Sequence, residues 1–199
     1  MKKSTKATEV KERIIEVTIA LIQASNGNAA EITTRDIAEK AEVGNGLINY
    51  HFQTKENLIA ICVQRIIGKV VDSFKPNLAN CQSVEEQMTC AATKVFEFLF
   101  QNPAISRISI LGDFSKPDEN SNTVKSQHSF SHVLGESMED ADKQVFTFVL
   151  TSSMQAAFLA HQFGDAILGY KLDTAASRQA FIEKLIDMLF HGIMVEKND

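Results

Sequence analysis

The run ITTRDIAEKAEVGNGLINYHFQTKENL, from Ile32 to Leu58, decides how this 199-residue chain is read. Thr33 or Thr34 can cap a short helix, TRDIAEKA, whose inner face is Ile37, Ala38 and Ala41. EVG then breaks the chain. A second short helix follows through NGLINYHF, where Ile48 and Phe52 stand four apart and point inward. Gln53-Thr54 makes another break, and Lys55 and Glu56 open a long helix, KENLIAICVQRIIGKVVDSF, that ends before Pro76. Upstream, TEVKERIIEVTIALIQASNGN carries Val10, Ile14, Val17 and Leu21 at spacings of four, three and four, one apolar stripe that Asn26-Gly27 stops.

Two helices this short cannot make a core alone, but with the preceding helix packed across them they can. Such a trio is a helix-turn-helix, whose second short helix is offered to the DNA major groove. The remaining residue choices fit that use. Asn45, Leu47, Asn49 and Tyr50 are left on the outer face. Asparagine bonds bidentately to adenine, and leucine packs on a thymine methyl. Gly46 lets the helix backbone come close to the bases. Thr33 and Thr34 sit at a helix N-terminus, where backbone N–H groups meet phosphate, and Lys55 does the same at the start of the fourth helix. Arg35 is long enough to reach a guanine edge, and His51 joins the candidate DNA contacts.

Thr34, Ile37, Ala38, Ala41, Val43, Gly46, Tyr50, His51, Phe52, Lys55, Glu56 and Leu58 fall along one run that closely resembles the DNA-binding domain of the TetR (tetracycline repressor) family. Three residues depart from that family's pattern. Glu42 stands where glycine is usual in the turn, Gly44 replaces the usual serine cap, and Asn49 stands where tyrosine is common. The match covers roughly residues 10–65; the rest resembles the family in length and helical layout only. The resemblance implies a homodimeric, ligand-controlled transcription factor, most often a repressor. It also implies a C-terminal domain that holds an inducer pocket and the dimer interface. Ligand binding there would move the fourth helix and change the separation of two reading heads.

Composition sets the frame for the rest. Hydrophobic residues make up 44% of the chain, enough for a sizeable core, and thirteen phenylalanines carry most of the aromatic content. Three prolines and nine glycines leave room for long helices. Neither strand alternation nor a fixed repeat is present, so the expected fold is all-α with about nine helices. Residues 1–55 read as the DNA-binding domain and 56–199 as a ligand-binding and dimerisation domain. The net charge of -5 is unevenly spread: the head carries eight Lys/Arg against seven Asp/Glu, the remainder twelve against eighteen. Lys2, Lys3 and Lys6 make a basic arm suited to a polyanion. No apolar run reaches the roughly 20 residues that span a bilayer, and MKKSTKATEVKER is polar, so a cytoplasmic protein without a membrane partner is expected. Cys62, Cys81 and Cys90 lack CxxC spacing and read as reduced thiols.

Nine phenylalanines lie between Phe96 and Phe163. Each is by default a core residue, but a cluster of this kind can also line a pocket between helices. Phe96, Phe100, Phe114, Phe130 and Phe158 are the candidates for touching a ligand, with Arg107, Gln155 and His161 as polar anchors. Val149, Ser153, Ala156 and Ala160 form a stripe of small residues on the eighth helix, and Phe181, Leu185 and Met188 a stripe on the last. Two such helices from each subunit would make a four-helix dimer interface, against the alternative of packing within one chain. His128, His132 and Glu136 would share a face if helical, but no cysteine or second acidic cluster supports a metal there, and no metal ligands are assigned. Cys81 and Cys90 lack a basic neighbour to lower their pKa. The sequence has no P-loop, dinucleotide-binding glycine pattern, HExxH or GxSxG, and so calls for no cofactor and no catalysis. The rival readings are a DNA-binding protein without an inducer pocket and a redox- or metal-responsive regulator.

Overall fold

The computed structural model describes residues 2–25, 29–73, 81–169 and 171–192, with backbone alone at 2–6, 72 and 73. The Asn26-Gly27 stop, the helix end at Phe74 and Pro76, and the side chains of Lys2, Lys3 and Lys6 lie outside the described residues. Among the described residues the fold is all-α, with no strand. The helices are α1 (Lys2–Ala24), α2 (Thr34–Lys40), α3 (Asn45–Phe52), α4 (Lys55–Ser73), α5 (Val84–Gln101), α6 (Pro103–Ser115), α7 (Asn122–Leu134), α8 (Asp140–Leu159), α9 (Gly164–Leu168) and α10 (Ala175–His191), with two short 3₁₀ turns. None is long and apolar enough to cross a membrane. The chain forms two compact units, Met1–Ser73 with Asn102–Asn122, and Phe74–Gln101 with Thr123–Asp199.

In the first unit α1 packs on α2 and α4, and α4 packs on α6. The buried face of α1 is Ile14, Ile15, Thr18 and Ile22, while Val10, Val17 and Leu21 flank it half-buried. Thr18 can sit there because its hydroxyl donates to the Ile14 carbonyl at 2.7 Å and so has a partner within its own helix. Leu58, Ile59, Cys62 and Val63 are the matching surface of α4. Burial pushes the Cys62 thiol up to about 12, which leaves it a packing residue rather than a nucleophile. Arg65 donates to both carboxylate oxygens of Glu12, at 2.5 and 3.3 Å, and this hydrogen bonding holds the Glu12 carboxyl below its ordinary range. The pair ties α1 to α4.

The second unit is built around aromatic rings. Phe96 of α5 lies 5.1 Å from Phe100 and 5.6 Å from Phe181 of α10, and Phe100 lies 5.4 Å from Phe158 of α8. Edge-to-face geometry predominates, as ring quadrupoles favour. Arg178 clamps α10 to α5. It donates to both oxygens of Glu97, at 2.6 and 2.8 Å, while its guanidinium stands 4.7 Å from the Phe100 ring centroid.

The eighth helix does not run on to Leu168 as its composition invites. It stops at Leu159, and a 3₁₀ turn over His161–Phe163 and the separate α9 follow, which makes ten α-helices among the described residues where the sequence suggests about nine. The cause is a side chain: His161 Nδ1 donates to the Phe158 carbonyl at 2.7 Å and competes with the backbone ladder. Gly169, at φ 68°, then closes α9 in the left-handed conformation.

Candidate nucleic-acid interface

The site starts at the cap of α2. Thr33 is extended, its hydroxyl accepts from the Asp36 amide at 3.1 Å, and the Asp36 carboxylate accepts from the Thr33 amide and hydroxyl at 2.9 and 2.6 Å. These hydrogen bonds hold the Asp36 carboxyl below its ordinary range. Thr33 is therefore engaged by a carboxylate of its own helix. Thr34 beside it is half-buried, and Arg35 is exposed.

The turn between α2 and α3 explains one departure from the expected pattern. Glu42 has φ 53°, the left-handed region that glycine adopts without strain. Its amide donates to the Glu39 carbonyl at 3.2 Å, and the Val43 amide donates to the Ala38 carbonyl at 3.0 Å. That is a Schellman ending, whose two bonds help a non-glycine residue bear a conformation costing about 1–2 kcal/mol. Gly44 then serves as the extended N-cap of α3 without a side-chain cap.

The far end of α3 is also strained. Gln53 sits at φ 66° and ψ -54°, and the Thr54 amide donates to the Phe52 carbonyl at 2.8 Å. This is a γ-turn of the rare, strained hand. Asn57 Nδ2 donates to the same carbonyl at 3.0 Å, while Thr54 Oγ1 caps α4 by accepting from the Asn57 amide at 3.1 Å. Lys55 Nζ donates to the Ile32 carbonyl at 3.1 Å and pins the start of α4 to the approach to α2. Both ends of α3 are thus fixed by short hydrogen-bonded turns.

Between those ends α3 has two opposite faces. Ile48 is 0% exposed and Phe52 1%, whereas Tyr50 is 78% exposed and Leu47 40%. Asn45, Gly46 and Asn49 share the outer surface, and the His51 ring stands half-buried, 5.0 Å edge-on to Tyr50. A Cβ at Gly46 would meet nothing within 4 Å among the described residues, so none of their contacts requires glycine there.

The segment 14–61 matches the family model described as bacterial regulatory proteins, tetR family. Over those residues the chain carries a TetR-family DNA-binding head. No curated protein matches it in sequence. Similar solved structures include the FadR transcriptional regulator from Bacillus subtilis in complex with stearoyl-CoA, at 16% identity and a TM-score of 0.60 over 92% of this chain and 99% of that one. A TetR transcriptional regulator from Rhodococcus sp. RHA1 is 16% identical with a TM-score of 0.57, over 96% of this chain and 99% of its own. The fatty acid degradation regulator FadR from Bacillus halodurans is also 16% identical, with a TM-score of 0.54 over 92% and 99%. These likenesses bear on the fold. The head has the helix-turn-helix form that the sequence leads one to expect.

The residues considered for a ligand are divided between the two units. Phe96, Phe100, Phe158 and His161 form one cluster, with His161 5.4 Å from Phe100 and 6.0 Å from Phe158. Phe130 is buried in the same unit. Arg107 and Phe114 lie on α6 in the first unit, both exposed. Gln155 is buried; its Nε2 donates to Thr123 Oγ1 at 2.8 Å, and its Oε1 has no hydrogen-bond partner among the described residues. Thr151 Oγ1, one turn earlier, is buried and likewise has no partner among the described residues; no local sequence pattern singles it out.

On α8, Val149 and Ala156 are exposed and Ser153 and Ala160 half-buried. Val145 and Phe148 extend that surface, 62% and 60% exposed. On α10, Leu185 and Met188 are half-buried, but Phe181 turns inward against Phe96. Glu136 lies beyond the end of α7, because Gly135 takes φ 55° and turns the chain off the face that His128 and His132 share. Partial burial raises the Cys81 thiol, and neighbouring Cys90 adds to the effect, opposite to what a reactive cysteine needs.

Proposed function

We propose that this protein is a homodimeric repressor that holds a palindromic operator through α3 and releases it when a small, largely apolar effector binds the second unit. The observation that carries DNA reading is the two-faced α3. A helix that buries only Ile48 and Phe52 and presents Leu47 and Tyr50 to solvent beside two asparagines has a partner on its outer side. The exposed Val145, Phe148, Val149 and Ala156 of α8 favour a second copy as their cover, with Leu185 and Met188 of α10 contributing. Two heads related by a two-fold axis need two half-sites.

Control by a ligand is supported by Thr151 Oγ1 and Gln155 Oε1. Both are buried near Leu150, Met154 and Phe158 along α8, and a buried polar atom without a partner is costly. An effector with an apolar body and a polar group for these atoms would satisfy them. The stearoyl-CoA held by the Bacillus subtilis regulator makes acyl compounds the first to screen. A ligand acts only through different affinities for the DNA-competent and DNA-incompetent states. Coupling of about 1–3 kcal/mol would lower operator affinity about 5- to 150-fold, and operator would weaken the ligand by the same factor. Titrating a confirmed ligand with and without operator tests this. Equal affinities in the two titrations would contradict ligand control, and a screen without a binder would favour a DNA-binding protein that lacks an inducer pocket.

Lys55 is assigned to phosphate. One of its protons goes to the Ile32 carbonyl, and two remain for a backbone oxygen. Lys55→Ala is expected to weaken binding to all duplexes alike and to reduce the salt slope by about one. Measuring affinity against salt for one operator and one random duplex checks this, and an unchanged slope would remove Lys55 from the phosphate contacts.

A further inference from the structure

Glu85 stands in the first turn of α5, and Asp187 and His191 stand one turn apart at the end of α10. A carboxylate oxygen from each acid and a ring nitrogen of the histidine all lie within 4.8 Å of one another, and His191 Nε2 is 3.0 Å from Glu85 Oε2. We infer that this cluster binds one divalent first-row transition ion of the zinc type, held by Glu85, Asp187 and His191 and completed by water.

The donor set selects the ion. Two carboxylate oxygens and one imidazole nitrogen suit zinc, cobalt, manganese or ferrous iron, whereas magnesium and calcium favour oxygen alone. The geometry is close to what coordination requires. Ligands about 2.0–2.1 Å from a tetrahedral centre lie about 3.3 Å from each other. The Glu85–His191 edge is already at that scale, and these accessible side chains can close the wider separations by rotation. Asp187 and His191 at i and i+4 present their donors from one face of α10, the spacing that lets a helix supply two ligands.

A simpler explanation covers only part of the cluster. An acid at the start of α5 and a histidine at the end of α10 each suit the helix dipoles and account for the Glu85–His191 pair. They do not account for Asp187 converging on the same point. The competing cation is Lys184, whose Nζ is 3.0 Å from Asp187 Oδ2, and an exposed pair of that kind is weak. Among the described residues no other three such side chains meet in this way, including His128 and His132. An ion here would cross-link the first turn of α5 to the last turn of α10.

The test uses the full-length protein, stripped with a chelator and titrated calorimetrically with Zn²⁺, Co²⁺ and Mg²⁺. One Zn²⁺ per chain is expected, with a rise in melting temperature, visible ligand-field bands for Co²⁺ and no saturable site for Mg²⁺. Asp187→Asn and His191→Gln should each lower Zn²⁺ affinity at least about tenfold, while the metal-free melting temperature of both variants stays that of the parent. Lys184→Ala should raise affinity several-fold by removing the competing cation, and a His128→Ala/His132→Ala double variant should bind as the parent does. Absence of a saturable Zn²⁺ site overturns the inference. So does a site that survives His191→Gln and Asp187→Asn, or one that disappears with His128 and His132.

Discussion

Phe52→Ala is expected to remove about 3–5 kcal/mol of folding stability, the usual cost of emptying a phenylalanine-sized site. It should abolish operator binding under conditions where the parent protein is intact. Phe52 is 1% exposed and closes α3. Its ring lies 5.9 Å beneath the Lys11 ammonium of α1, and its carbonyl accepts from Thr54 and Asn57. One residue therefore joins three helices, and the cavity left by its ring cannot be filled by residues on turns already held in strained geometry. Denaturant unfolding, followed by amide exchange in the head, measures the loss. A change below about 1 kcal/mol would mean that the ring is not part of the core that positions α3.

Asn45→Ala and Asn49→Ala should behave in the opposite manner. Both residues are exposed, so folding stability should stay within about 0.5 kcal/mol of the parent. Operator affinity should nevertheless fall by about 1–3 kcal/mol for each, or about 5- to 150-fold, because a bidentate contact to a base edge is lost. The loss should be confined to particular base pairs, where preference relaxes, and binding to random duplex should barely change. That separates base reading from the uniform effect expected of Lys55→Ala. Equal losses on specific and random duplex would reassign both asparagines to the sugar-phosphate backbone.

The head was legible because its structure is local. Ile37, Ala38, Ala41, Ile48 and Phe52 are buried as their spacing requires, and each helix is short enough for one apolar pair to orient it. Thr18 hid part of the core of α1, since a threonine reads as polar until its hydroxyl is seen to bond its own helix. The positive φ of Glu42 shows in sequence only through the glycine usual at its place, and that of Gln53 through nothing, because neither residue type announces a left-handed conformation. In the second unit the signals are long-range. The break after α8 depends on where one imidazole turns, and Phe181 faces Phe96 from 85 positions away. Glu85, Asp187 and His191 meet across 106 positions, which no local spacing rule can find.

Selection of binding sites from a random pool of duplex DNA, with the full-length protein as bait, tests most directly whether α3 reads an operator as one of a two-fold pair. The expected outcome is enrichment of an inverted repeat whose half-site centres are about one helical turn, or a multiple of it, apart. The pool should lose that preference when Asn45 and Asn49 are both replaced by alanine. Enrichment of a single asymmetric half-site, or of no sequence at all, would contradict the dimeric reading head.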